Sequence, residues 1–238
     1  MKKSIIFLLV ILCVSGCVEA QDKKLFEGKY KKALFIGAHP DDNESCAGGT
    51  MVRLQQQGCD VVSVYLTSGE AGIKGKSHEE AAAIRREELK NACNVMGVKY
   101  RWMSQIDGST EITQERYQEM LKVIEEEKPD VVFTHWPIDG HRDHRICSML
   151  VFDVWRKKGD FDLYYYEAET GHQTRNFSPE LYVDITAVAD KKHEALNCHK
   201  SQNPDVIMGD WHNDMELFRG KESECNRAEA FIMQRSYK

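Results

Sequence analysis

The sequence predicts an α/β domain, a Rossmann-like three-layer α/β/α arrangement around a mainly parallel sheet. Strand-like apolar runs recur at 33–38, 60–67, 100–104, 130–135, 163–168 and 181–185. Stretches with the apolar spacing of helices fall between them, at 44–57, 78–96, 113–127, 142–158 and 187–200. Strand and helix alternate throughout, and several of the strand runs are continuously apolar, as strands covered on both faces by crossover helices must be.

In chain order, 33–38 ("ALFIGA") is apolar and leads into Asp41, Asp42 and Asn43, residue types that cap the helix to follow. The run 60–67 gives way to 68–80 ("SGEAGIKGKSHEE"), which has neither helical nor strand period. Helix 113–127 is closed by Pro129 beyond its acidic end, just before strand 130–135. Beyond helix 187–200, the stretch 201–222 again resists assignment. Unassigned stretches of that length are usually functional or disordered. Substrate specificity is therefore expected in 68–80, 169–179 and 201–222, and 68–80 leaves the sheet where a lid would sit.

The amino terminus is read as separate from the domain. Lys2 and Lys3 precede an apolar run, 5–14, followed by Ser15, Gly16 and Cys17. Residues 1–16 read as a secretory signal, too short to span a bilayer. The ending Val14-Ser15-Gly16-Cys17 resembles a bacterial lipobox, which implies cleavage before Cys17 and its acylation. Residues 17–31 are charged and aperiodic and read as a tether, with the domain proper at 32–238. The expectation is a bacterial envelope protein, exported and held to the membrane only by its lipid. Loss of Lys2 and Lys3 takes the formal charge from −6 to −8, and no basic stripe is visible, which argues against nucleic acid or anionic lipid as partners. Cys46, Cys59, Cys93, Cys147, Cys198 and Cys225 form no C-x-x-C pair and are read as mostly free core thiols.

The chemistry sits in two motifs about a hundred residues apart. His39, Asp41 and Asp42 leave the first strand, and "THWPIDGHRDH" (134–144) leaves the fourth. In a doubly wound sheet of order 3-2-1-4 these strands are neighbours whose connections diverge, opening a crevice at their carboxyl ends. Two adjacent aspartates near a core are costly without a cation. Imidazole and carboxylate suit zinc, and a catalytic zinc takes three protein ligands. His39, Asp42 and His144 fill that count and leave Asp41 as the general base. His141, one helical turn before His144, faces the same crevice and is placed to polarise an oxyanion, with Asp143 to fix its tautomer and keep it cationic. The remaining histidines, 78, 135, 172, 193, 199 and 212, show no such pattern and are read as surface or packing residues.

These motifs, "AHPDD" and H-x-D-H, resemble the zinc-dependent LmbE/PIG-L de-N-acetylases. Weaker similarities lie at 67–72 ("TSGEAG"), 84–89 ("IRREEL"), 129–135 ("PDVVFTH") and 195–202 ("ALNCHKSQ"), so the resemblance runs over about residues 33–202. It implies the same roles: His39, Asp42 and His144 on one zinc, or iron, per chain, Asp41 as base, and His141 oriented by Asp143. It also implies that Arg85 lies near the substrate pocket, where a surface charge paired with Glu88 is the plainer reading. Asn43 stands where the family has glutamate. The expected reaction is removal of the N-acetyl group from an N-acetylglucosamine-type sugar or glycoconjugate. The rivals are a tethered carbohydrate- or zinc-binding lipoprotein without turnover, and a hydrolase of another small-molecule amide.

Overall fold

The structure, a computed structural model, describes residues 28–206 and 211–235. The signal segment and Cys17 lie outside the described residues. Among the described residues no helix is long and apolar enough to cross a membrane.

Seven strands form one sheet: β1 (Lys32–Gly37), β2 (Asp60–Tyr65), β3 (Lys99–Trp102), β4 (Val131–His135), β5 (Asp162–Tyr166), β6 (Leu181–Asp184) and β7 (Ala228–Met233). Their order is β3-β2-β1-β4-β5-β7-β6, so the expected 3-2-1-4 core is present. β1 pairs parallel with β2 and β4, and β5 parallel with β4, while β7 pairs antiparallel with both β5 and β6. The helices of eight residues or more are α1 (Asp42–Gln56), α2 (His78–Met96), α3 (Gln114–Glu127), α4 (Arg142–Lys158), α5 (Ala189–Leu196) and α6 (Asn213–Glu222). Strand alternation divides the core between the two faces of the sheet. Phe35, Tyr65, Phe133 and Tyr166 pack with Met51 of α1 and Leu89 of α2, whereas Leu34, Val64, Val132 and Leu163 pack with Ile124 of α3 and Leu150 of α4.

Helix ends follow local chemistry. The Ser77 hydroxyl accepts from the Glu80 amide, Glu80 reaches back to the Ser77 amide, and Gly97 at φ +75° ends α2. The stretch 201–222, unassigned from sequence, contains α6, and the chain end adds β7 between β5 and β6. The domain also starts earlier than expected. Tyr30 is buried and its hydroxyl donates to Asp162 Oδ2 at 2.6 Å, so the last residues of the expected tether are folded. All six described cysteines are free, and four of them are buried.

One buried charge cluster joins the carboxyl-terminal elements to α1. At Ala47 the helix departs from helical geometry (φ −147°, ψ 16°), and the Gly49 and Thr50 amides donate to the Glu229 carboxylate of β7 at 2.8 and 2.7 Å. Lys192 Nζ of α5 lies 2.8 Å from Glu229 Oε1 and 2.9 Å from Glu216 Oε1. Lys192→Met is expected to cost about 3–5 kcal/mol in urea unfolding, because it takes the shared buried cation away from two buried carboxylates. A loss under about 1 kcal/mol would show that the cluster is not holding α1, α5 and α6 to β7. Burial opposes charge on Glu216, but Lys192 and His193 outweigh it and hold it down at about 2. That stability is present above the ordinary carboxylate range, near pH 4.5, and is lost as pH falls toward 2.

Candidate active site

β1 and β4 end side by side, and their following loops carry the site. Asp41 opens α1 in the left-handed region (φ 101°, ψ −26°), a strained state for a residue with a side chain. Its amide donates to Glu44 Oε2 at 3.1 Å, so the strained residue occupies the cap position of α1. The turn aims Asp42 back at the strand end, where Oδ2 accepts from the Ala38 and His39 amides at 3.0 and 2.7 Å.

His39 Nδ1 lies 3.3 Å from Asp42 Oδ2, and His144 Nε2 lies 3.2 Å from Asp42 Oδ1. The far nitrogen of each ring is held by carboxylates. His39 Nε2 is 3.2 Å from both Asp107 Oδ1 and Asp143 Oδ2, and His144 Nδ1 is 3.3 Å from Asp139 Oδ1. This is the arrangement that turns the other nitrogen of a metal-binding histidine toward its ion. Among the described residues, three overlapping trios bring donor atoms within 4.8 Å of one another: His39, His141 and His144; Asp42, His135 and His144; His39, Asp107 and Asp143. The predicted ligands His39, Asp42 and His144 are spread over the first two, which share His144. The donor set of imidazole and carboxylate, braced from behind, fits a divalent metal ion.

The electrostatics follow from that crowding. Burial works against charge on Asp42, but His144, His135 and His39 hold its carboxyl well below the usual range. Burial likewise opposes charge on His144, and Asp42 with Asp139 outweighs it, pushing the imidazole up to about 9. Asp41 goes the other way: burial raises it to about 6, with Arg85 opposing and Asp42 adding to the rise.

Several placements differ from the sequence reading. Asp143 does not reach the His141 ring; its carboxylate accepts from Gly108 N at 2.8 Å and Thr110 Oγ1 at 2.6 Å and faces His39. His141 is the cap of α4, and its Nδ1 accepts from the Asp143 amide at 3.3 Å, which puts the ring proton on Nε2. Burial and the neighbouring His39 and His144 lower its basicity, so it is not kept cationic in this arrangement. Arg85 is neither a surface charge nor paired with Glu88, which binds Ser201 instead. It is 3 % exposed, its Nη2 donates to Asp41 Oδ2 at 2.8 Å and to the Pro40 carbonyl, and a Cβ on Gly69 or Gly72 would overlap its guanidinium. The glycines of "TSGEAG" are thus the space in which Arg85 lies.

His135, read from sequence as packing, belongs to the site: it is buried at the end of β4, 3.2 Å from Asp42 Oδ2, with its ring stacked on His144 at 3.8 Å. Asp107, Asp139 and Gln173, whose Nε2 lies 2.9 Å from His144 Nδ1, were also missed. Asn43 has a structural answer: its amide donates to the Phe35 and Val64 carbonyls and its Oδ1 accepts from Tyr166, bonds to carbonyls that a carboxylate there could not make.

The family of GlcNAc-PI de-N-acetylases (PIG-L) matches residues 34–155. The chain is 33% identical over 221 residues to the diacetylchitobiose deacetylase of Thermococcus kodakarensis, covering 84% of this chain and 81% of that one. It is 30% identical over 186 residues to a probable N-acetyl-alpha-D-glucosaminyl L-malate deacetylase 2 of Bacillus anthracis, covering 72% of this chain and 81% of that one. Among solved structures, the N,N'-diacetylchitobiose deacetylase of Pyrococcus horikoshii superposes with a TM-score of 0.79 at 27% identity, over 91% of this chain and 88% of that one. Shared sequence, shared fold and the paired strand-end motifs agree, and the chain belongs to the PIG-L/LmbE family of metal-dependent deacetylases.

Proposed function

We propose that this protein is a zinc-dependent de-N-acetylase that hydrolyses the acetamido group of an N-acetylglucosamine-type sugar or glycoconjugate, yielding acetate and an amine. The observation that carries this reading is the convergence of His39 Nδ1 and His144 Nε2 on the Asp42 carboxylate, with Asp41 beside them. The names of the relatives supply the substrate class, and the nitrogen and oxygen donors suit zinc while admitting iron.

His39, Asp42 and His144 would hold the ion. When bound there it supplies Lewis acidity, polarising a carbonyl oxygen and lowering the pKa of a coordinated water from about 15.7 to about 7. The chain's own groups do the rest. Asp41 Oδ1 accepts a proton from the attacking water while Oδ2 stays fixed by Arg85, and the same carboxyl returns that proton to the departing nitrogen. With Nδ1 occupied by the Asp143 amide, the proton on His141 Nε2 is the one available to the negative oxygen that develops as the carbonyl is attacked. Asp143, bonded to Thr110 and Gly108, braces His39 rather than His141.

Purified protein incubated with N-acetylglucosamine and N,N'-diacetylchitobiose is expected to release acetate and free amine in equal amounts. A chelator should stop the reaction and added zinc restore it. Binding of either sugar without acetate release would favour the non-catalytic binding protein instead.

We further propose that the amino-terminal segment is a secretory signal with Cys17 as the acylated residue, which would hold the enzyme at the bacterial envelope. Cys17→Ser is expected to move the protein from the membrane pellet to the soluble fraction. Pelleting that the substitution does not change would exclude the lipid anchor.

A further inference from the structure

The cleft above the site has a volume of about 100 Å³ and is lined by Asp41, Asp42, His144, Gln173, Trp211 and His212, among others. That is room for an acetamido group and a little water, well below the roughly 300–1,000 Å³ of sites that enclose a whole small molecule. A pyranose bearing the acetamido group must therefore lie across the mouth.

An aromatic face waits there. Trp211 is 39% exposed, and of the exposed large apolar side chains among the described residues it is the one that lines this cleft. His172 stacks on it, with ring centroids 5.5 Å apart and planes 29° from parallel. His172 is pinned in turn, since its Nδ1 lies 3.1 Å from Oε2 of Glu169, a buried residue of the cleft wall. Two unassigned stretches, 169–179 and 201–222, thus each contribute one ring to a stacked pair, of which Trp211 lines the cleft. The negative face of an aromatic ring attracts the weakly positive C–H groups on the flat side of a pyranose, while the polar rim of the sugar stays wet.

We propose that Trp211, backed by His172, is the platform on which the sugar ring lies while its acetamido group enters the cleft. The proposal rests on the deacetylase reading above and adds to it the basis of selection: a substrate must present a pyranose face next to the scissile amide. A platform contacts ground state and transition state alike, so its removal raises KM and leaves kcat in place.

Steady-state kinetics of Trp211→Ala and Trp211→Phe on N-acetylglucosamine and on the acyclic N-acetylethanolamine test it. For the sugar, Trp211→Ala is expected to raise KM about tenfold with kcat within about twofold, and Trp211→Phe to fall between it and wild type. For N-acetylethanolamine both variants should match wild type. An unchanged KM for the sugar, an equal rise for both substrates, or a loss confined to kcat would overturn the platform. If the wild type releases acetate from neither compound, the deacetylase reading fails. The platform is then decided by calorimetric affinity for N-acetylglucosamine, about tenfold weaker in Trp211→Ala if it stands and equal, or undetectable in both, if it does not. Trp211→Phe retains an aromatic ring and serves alone should the alanine variant be unstable.

Discussion

Replacing Asp41 with asparagine is expected to lower kcat for acetate release by about 10²- to 10⁴-fold while the protein still binds one metal ion. Asparagine is the right probe because it removes proton acceptance and little else. It tolerates the left-handed backbone that Asp41 adopts at φ 101°, and its amide oxygen can take over the bond from Arg85 Nη2. The Asp42 turn and the start of α1 should therefore survive. A variant that keeps kcat within tenfold of wild type would remove Asp41 from the proton transfer. One that loses the metal as well would show that the arginine-held carboxylate is part of the ion's cage.

The second large effect is expected at His144. Its ring stacks on His135, its Nε2 meets Asp42 Oδ1, and it belongs to two of the three donor trios. His144→Ala should abolish measurable acetate release and weaken zinc binding, read by calorimetric titration, by more than the roughly 10–100-fold that loss of an outer partner costs. Asp139→Asn supplies that comparison, since Asp139 touches His144 only through Nδ1. If His144→Ala binds zinc as tightly as wild type, the ion sits elsewhere.

The parallel core of the sheet was legible because its signals are local and redundant. Apolar runs such as Val131 to Phe133 admit little but a strand buried on both faces, and the 3-2-1-4 order places His39 and His144 at one crevice. β7 was not legible, because Ala228–Met233 carries a charged residue, Glu229, second in the run, and that carboxylate is buried against Lys192 and the amides freed at the α1 kink. In the site, the residues in dense motifs were found and the isolated ones were not. Asp107, Asp139, Gln173 and His135 act on ring nitrogens or carboxylates that tertiary packing brings to them, and spacing says nothing of that. Asp143 shows the same limit, since Thr110 and Gly108 compete for its carboxylate from a loop 33 and 35 residues away. For His135 there was one usable clue: it is the last residue of a strand whose end was already assigned to the crevice.

Catalysis at this site depends on β1 and β4 delivering their motifs to one ion. Crystals of the zinc-loaded protein, measured at the zinc absorption edge, put that to the most direct test. The expected anomalous map has one strong peak in contact with His39 Nδ1, Asp42 and His144 Nε2, at the roughly 2.0–2.2 Å typical of such ligands. A peak bound by only one of the two strand-end motifs, or no peak in protein that releases acetate, would contradict it.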